Sequence, residues 1–573
     1  METIRKTLRE SKAARWTALA VVAFTMLCGY YLTDVMAPLK GLLEGQLQWN
    51  SSDFGFFTSA YGWFNVFLLM LIIGGIILDK MGVRFTGMMA AIIMVIGTAI
   101  KYWAVSTSSL DGLTWHILFW DAKAQIFMAG LGFAIFGVGV EVAGITVSKI
   151  IVKWFKGKEL ALAMGLEMAT ARLGTALALS TSVPIAKVFN TVSAPILVCL
   201  IMLCIGLIAF FIYTFMDKKL DASQVAYDAE NKTEDTEESF KIGDIWNILG
   251  NKGWWYIAIL CVLFYSAVFP FLKYATDLMV QKFSINEDWA GIIPAMLPFG
   301  TILLTPLFGN LYDRKGKGAT IMIIGSFLLI FVHAVFSIPF LNFWIVAILL
   351  ILVLGIGFSL VPSAMWPSVP KIIPEKQLGT AYALIFWVQN WGLMGVPALI
   401  GWVLNKYCFL GYFAILGTGF TTNQGDQVVK LATMDQNVYE LKTVGSISRK
   451  DTVVMVSRFI KDAQGNVSSI LVSTGDTILR SQISDKAFKK VLKKNEVKVP
   501  LYSFDDKGRV DHFITYKNEN VTKFYNVSSF YNYTKPMIIF MLFGILALIF
   551  AFLLKMEDKK KGYGLEQPNI QKG

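Results

Sequence analysis

Residues Glu141 to Gly174 read EVAGITVSKIIVKWFKGKELALAMGLEMATARLG. This is the end of one apolar helix, a short basic turn (Lys149, Lys153, Lys156, Lys158) and most of a second apolar helix. Both helices have the composition of membrane spans, yet Glu141, Glu167 and Arg172 stand well away from the turn. An ionisable side chain at bilayer depth costs at least ~2.5–3.5 kcal/mol on insertion scales, so it persists only when paired or facing a wet cavity. Three in one hairpin imply that they line a path through the membrane, which the rest of the chain opens to each side in turn.

The whole chain supports a membrane setting. It has 573 residues, 55% of them hydrophobic and only 16% charged, with mean hydropathy +0.57. Soluble domains are about a quarter charged. A helix needs about 20 apolar residues to cross the hydrocarbon. Runs of that kind lie near 16–38, 54–78, 85–104, 124–148, 159–184, 192–216, 253–279, 289–312, 318–340, 342–367, 378–405 and 535–555. The first run is too long, and too clearly continued by later ones, for a cleaved signal peptide.

The net charge of +12 fits membrane topology rather than nucleic acid. Basic residues precede the first run (Arg5, Lys6, Arg9, Lys12, Arg15) and follow each even-numbered one, as at Lys80 and Arg84, Lys218 and Lys219, Lys371 and Lys376, and Lys559 to Lys561. The positive-inside rule then places these loops and both termini in the cytoplasm. The five cysteines read as small buried hydrophobes, not as disulfides or metal ligands. There is no HExxH, no P-loop and no Cys/His cluster, so an enzyme, ATP hydrolysis and a bound cofactor are not expected.

Six runs are followed by a polar stretch, 217–250, with an acidic core from Asp221 to Glu238, which reads as a flexible cytoplasmic tether. Six more runs follow. After the second, the chain reads Gly75-x-x-x-Asp79-Lys80-x-Gly82-x-Arg84; after the eighth, Gly309-x-x-x-Asp313-Arg314-x-Gly316. Two copies at equivalent places point to an internal repeat. Its glycines are expected to let helix ends pack on the opposite half, and its acids to complement a helix N-terminus.

Two six-helix halves, the central linker and these paired loops resemble the major facilitator superfamily. Three stretches narrow the resemblance: WFKGKELALAMGL (154–166) with Ala171-Arg172-Leu173-Gly174, then Ala267-Val268-Phe269-Pro270-Phe271, and Ala364-Met365-Trp366-Pro367 continuing through Pro374-Glu375 to Gln389-Asn390. They are similar to the branch typified by a lysosomal dipeptide uniporter of animals. A lysine- and tyrosine-rich style, and tails without an acidic dileucine signal, suggest a bacterial relative, hence a bacterial inner membrane. The fold implied is all-α and polytopic, with twelve transmembrane helices. The divisions are an N-terminal half 1–216, linker 217–250, helices seven to eleven in 251–406, an insertion 407–534, and helix twelve with the tail in 535–573.

The insertion departs from that family. Alternating segments broken by turn signals, such as Gln464-Gly465-Asn466, argue a small β-rich domain on the outer face. A lid or docking module and an inert addition are both open readings. Sequons at Asn466, Asn520, Asn526 and Asn532 are chance matches in an Asn-rich segment.

At 1.5 Å per residue, Glu141 lies about 18 Å from the basic turn and Arg172 about 25 Å, an offset somewhat under 10 Å. That suits the two ends of a short zwitterion: Glu141 for the ammonium, Arg172 for bidentate hold on the carboxylate. The family resemblance implies the same two roles. A structural ion pair between Glu141 and Arg172 is the competing reading. Glu167 lies roughly 140° around the helix from Arg172 and is either a proton-coupling carboxylate or a partner of another helix. Tyr30 and Tyr31 are candidate substrate contacts, and Asp34 beside them either lines the cavity, as a second candidate for proton coupling, or marks the outer boundary. Trp366, Tyr382, Trp387, Gln389 and Asn390 offer stacking and amide contacts from the second half. Lys273 is expected to snorkel to the outer surface, and His333 to bond a neighbouring helix.

The expectation is a secondary transporter of dipeptides or similar zwitterions, working as a uniporter. Alternatives are a proton-coupled carboxylate carrier and a receptor whose outer domain docks a partner. Partners are the substrate and the lipid bilayer; the resemblance adds a homodimer or an accessory membrane glycoprotein.

Overall fold

The computed structural model describes residues 10–569 except 48, 118–119, 156–158, 232–241, 284, 375–376, 422–426, 433–436, 444–450, 473–476, 501, 505–509, 514–517 and 521–525. In the N-terminal half the helices are α1 (Lys12–Asp34), α2 (Lys40–Leu47), α3 (Ser51–Ser59), α4 (Trp63–Phe67), α5 (Met70–Ser106), α6 (Ala124–Phe155), α7 (Leu160–Val188) and α8 (Ala194–Asn231). After α9 (Ile242–Leu249) come α10 (Lys252–Phe283), α11 (Glu287–Ala290), α12 (Ile292–Lys315), α13 (Gly318–Ser337), α14 (Trp344–Ile372) and α15 (Leu378–Val403). The insertion carries α16 (Asp485–Lys494), and α17 (Thr534–Lys561) closes the fold.

Among the described residues, 11 helices are long and apolar enough to cross a membrane, where twelve runs were expected. The difference lies in the second run. It is broken at Leu69, whose φ of 54° is left-handed, so α3 and α4 are too short to count. Its second half then continues into the third run as α5, through a non-helical Gly82 at φ 75°. A glycine there meets no steric penalty, so the chain reverses without a longer loop.

The first run also extends further than expected. After α1 a 3₁₀ turn, Ala37–Leu39, with Pro38 near its start, redirects the chain into α2. That turn carries Lys40 and Glu44 into the protein interior. Likewise α8 runs on to Asn231, so residues 217–231 of the acidic stretch are helix and not flexible tether. The remaining acids of that stretch, from Glu234 to Glu238, lie outside the described residues, as do Lys156, Lys158 and Glu375.

Helix contacts in lipid depend on close packing of small residues. In the N-terminal half, a Cβ on Gly97 would lie 2.4 Å from the Phe136 nitrogen, and one on Gly132 would lie 2.5 Å from the Lys101 nitrogen. The backbones of α5 and α6 therefore touch, and no side chain fits between them. Across the halves the same device joins α3 to α15: a Cβ on Gly55 would sit 2.7 Å from the Pro397 carbonyl, and one on Gly401 2.3 Å from the Ser51 carbonyl.

A hairpin of Thr114–Ile117 and Trp120–Lys123 caps the α5–α6 connection. In the insertion, strands Asp451–Lys461, Val467–Val472, Thr477–Leu479 and Glu496–Pro500 form one antiparallel sheet, with a small core at Ile470, Val472, Val491 and Val497. A second sheet includes Phe409–Thr421 paired with Asn526–Tyr531, the strands by which the chain enters and leaves the insertion.

Candidate functional site

Arg172 projects from α7 toward the opposite half. Its guanidinium lies 5.5 Å from the Phe269 ring centre and 5.3 Å from that of Phe358, both in the second half, and 5.9 Å from Tyr30 of α1. Rings present their negative faces to a cation, so this cage holds the charge without neutralising it. Among the described residues Arg172 has no hydrogen-bond or ion-pair partner. Its nitrogens are also absent from the polar atoms sealed without a partner. The charge is therefore caged, unpaired and reachable by solvent.

Glu141 accepts a 2.8 Å hydrogen bond on Oε1 from the Tyr61 hydroxyl. No nitrogen of Arg172 comes within 4.0 Å of it, so the two are not locked as an ion pair in this conformation. Tyr30 lies within electrostatic reach of Arg172, Glu141, Glu167 and Asp34. Glu167 has Arg172 as its charged neighbour and makes no ion pair among the described residues. One α1 tyrosine thus feels all four charges expected from the sequence.

The other expected residues sort by geometry. Tyr31 is tied within its own half, its hydroxyl 2.9 Å from Thr181 Oγ1. Trp366 donates to the Tyr265 hydroxyl at 3.1 Å and packs on Phe386 and Tyr382, an aromatic wall in the second half. Gln389 accepts from Cys261 at 3.5 Å, which joins α15 to α10, whereas Asn390 donates to the Phe386 carbonyl one turn back in α15 at 2.9 Å. His333 bonds the Ala267 carbonyl at 3.0 Å, linking α13 to α10.

Lys273 does not snorkel to the surface. It donates to Asp34 Oδ1 at 2.7 Å and to the Thr33 carbonyl at 2.6 Å, joining the halves. Asp34 and Lys273 approach each other inside the fold, where each is worth more to the other than to a distant interface.

Lys273 belongs to a larger set that the sequence reading missed. On the face that carries the insertion, Lys40 donates to Glu44 at 2.7 Å and across the halves to Asp277 at 3.0 Å. Lys187 of α7 reaches Asp288 of α11 at 2.6 Å. The ion pairs described on the opposite face, which carries both termini, stay within one half: Lys149–Asp79, Lys153–Asp217, Arg84–Asp221, Arg15–Glu159 and Lys555–Glu566. The halves are joined on the insertion face.

The repeated loop motif fits this state. A Cβ on Gly75, Gly82 or Gly309 would meet nothing within 4 Å, so the expected packing on the opposite half is not made here. Gly316, at φ 66°, lies against the backbone of Glu566 to Pro568 instead. Asp313 accepts from Asn569, while Lys80 and Arg314 are exposed.

Lys101 was also missed. It is fully buried in α5, its ammonium sealed without a hydrogen-bond partner, 4.4 Å from the Phe133 ring centre and 5.1 Å from that of Phe57. A lysine inside the third apolar run was the available signal.

Comparison with known proteins agrees with this architecture. The Major Facilitator Superfamily model matches residues 19–397. The chain is 28% identical over 408 residues to a mouse protein named lysosomal dipeptide transporter MFSD1, covering 70% of this chain and 82% of that one. To the human protein of that name it is 27% identical over 415 residues, covering 70% and 83%. Among solved structures, a bacterial homolog of the human lysosomal transporter Spinster, inward-facing and unoccupied, superposes with TM-score 0.51 at 13% identity over 69% of this chain and 84% of that one. A D-xylose-proton symporter gives TM-score 0.51 at 15% identity, covering 68% and 90%. Paired six-helix halves, the repeated loop motif and the matched span together place this multi-pass membrane transporter in the major facilitator superfamily, to which the chain belongs.

Proposed function

We propose that the chain moves dipeptides, or zwitterions of similar length, by alternating access and without an energy source of its own. The observation that carries this reading is the unpaired Arg172 guanidinium, caged by aromatic rings at the junction of the halves. A carboxylate is the group its planar fork fits. Glu141, held by Tyr61 and more than 4.0 Å from Arg172, is the counterpart for an ammonium. The relatives named as lysosomal dipeptide transporters support the same substrate class.

The insertion face is then the outer face, a reading that the lysine and arginine distribution supports, and the joined halves correspond to a carrier closed to the outside. Glu167, beside Arg172, is the residue through which a proton-coupled variant of this mechanism would work.

The test is ligand-induced stabilisation of the purified protein. A ligand at 100 times its dissociation constant stabilises by about 2.7 kcal/mol. Free dipeptides are expected to raise the melting temperature, while dipeptides acetylated at the amine or amidated at the carboxylate are not. If the acetylated peptides stabilise equally, Glu141 reads no ammonium and the chain carries carboxylates.

A further inference from the structure

The insertion and the ion pairs that close its face meet at one place. Residues 407–534 enter and leave the membrane domain side by side: the Asn532 nitrogen donates to the Cys408 carbonyl at 2.8 Å, and the Tyr531 ring packs on Phe409 at 5.6 Å. This root does not sit on top of the bundle. The Tyr531 hydroxyl donates to Glu44 Oε1 at 3.0 Å, and its ring faces the Lys40 ammonium at 4.2 Å. Two residues on, the Tyr533 hydroxyl donates to Asp277 Oδ2. The Tyr531 nitrogen reaches Gln281 Oε1 at 3.4 Å. Lys40, Glu44, Asp277, Tyr531 and Tyr533 are all 6% exposed or less.

The geometry points to a third component of the outer gate. We propose that the insertion root is a latch: Tyr531 grips the Lys40–Glu44 pair of the first half, Tyr533 grips Asp277 of the second, and together they hold the carrier closed on the insertion face. The physical reason is that a buried ion pair between two moving bodies is weak support unless its remaining lone pairs are satisfied. Here the tyrosine hydroxyls satisfy carboxylate oxygens, and the Tyr531 ring covers the ammonium that bridges the halves. Separation of the halves breaks the Lys40–Asp277 contact. Because Tyr531 ends the returning strand and Tyr533, two residues on, caps α17, they cannot follow both halves at once. Opening the insertion face therefore has to break the Tyr531 contacts to Lys40 and Glu44 or pull the insertion root away from Asp277, and either step costs the latch. The inference rests on alternating access and not on the identity of the substrate.

The experiment is a distance measurement on the full chain in nanodiscs, with no substrate present. Spin labels go on cysteines introduced at Val188 and Phe340, exposed positions at the insertion-face ends of the two halves. The five native cysteines are buried or half-buried and stay in place. Tyr531→Phe and Tyr533→Phe each keep the ring and remove one hydrogen bond to a charged group, so each is expected to shift the closed-to-open ratio about tenfold toward longer distances. The double variant shifts it further, and Ser468→Ala, in the insertion but away from its root, leaves it unchanged. If both tyrosine variants keep the wild-type distances while Lys40→Met lengthens them, the ion pair gates alone and the latch is overturned. Dipeptide stabilisation of the wild-type protein is a separate readout, so loss of either reading leaves the other testable.

Discussion

The charges on the insertion face and those at the centre of the bundle are built from the same residue types and treated in opposite ways. On the insertion face, Lys40, Lys273 and Lys187 each reach a carboxylate of the other half within 3.0 Å. At the centre, Arg172 has aromatic rings for company, Glu141 has one tyrosine hydroxyl, and the two do not pair. A cation already matched by the protein closes an interface. A cation left unmatched in a solvent-reachable cage keeps its binding capacity for something that arrives. The contrast separates gate from site without reference to any relative.

The largest expected effect lies at the centre. Arg172→Ala should weaken dipeptide binding by roughly 100-fold or more, since truncating one partner of a desolvated charge pair typically costs 2–5 kcal/mol. The variant should still insert and melt cooperatively. Unfolding in place of lost binding would reassign Arg172 to structure and erase the contrast. Arg172→Lys, with charge but no fork, should recover only part of the affinity.

Next comes the gate. Lys273→Met strands Asp34 inside the fold and should shift the closed-to-open ratio on the insertion face by at least about tenfold, read from modification of a cysteine introduced there. Adding Asp34→Asn should restore much of the closed state, because it removes the orphaned charge as well. Failure of that rescue would show that the lysine acts through something other than its carboxylate.

Smaller is the effect of the hydroxyl on Glu141. Tyr61→Phe removes one hydrogen bond and should reduce binding about fivefold, with the change confined to ligands bearing a free amine. An equal loss for acetylated peptides would mean that Tyr61 shapes the cavity and does not orient Glu141. The smallest is Lys149→Ala on the termini face. Its partner Asp79 is 44% exposed, and such pairs contribute about 0–1 kcal/mol, so transport should change less than about twofold. A large effect there would show that the termini face also gates through charge.

The apolar runs, the repeated Gly75 and Gly309 loops and the hairpin charges Glu141, Glu167 and Arg172 were legible because each is a local pattern against a uniform background. The gate was not. Lys40 and Glu44 follow Pro38, where the first run looks finished, and only the turn at Ala37–Leu39 brings them inside. Asp277 lies in the last turns of α10 and looks like a boundary residue until Lys40 is placed 3.0 Å away. Tyr531 and Tyr533 sit in an insertion whose role no pattern specifies. Lys101 and Lys273 were visible as letters, but a lysine in an apolar run snorkels or pairs according to neighbours the sequence does not show.

By itself, then, the sequence determined the solvent, the number of apolar runs and their pairing into two halves. Hydropathy, helix rise and loop charge are properties of a few consecutive residues, and they suffice for that. Only the tertiary structure decided which charges meet: Lys273 with Asp34, Lys40 with Asp277, and Arg172 in no ion pair among the described residues. Lys40 and Asp277 stand 237 positions apart and Asp34 and Lys273 stand 239 apart, and an ion pair depends on ångströms of separation and on what surrounds it. Those are set by how the helices pack, long after composition has fixed that they are helices.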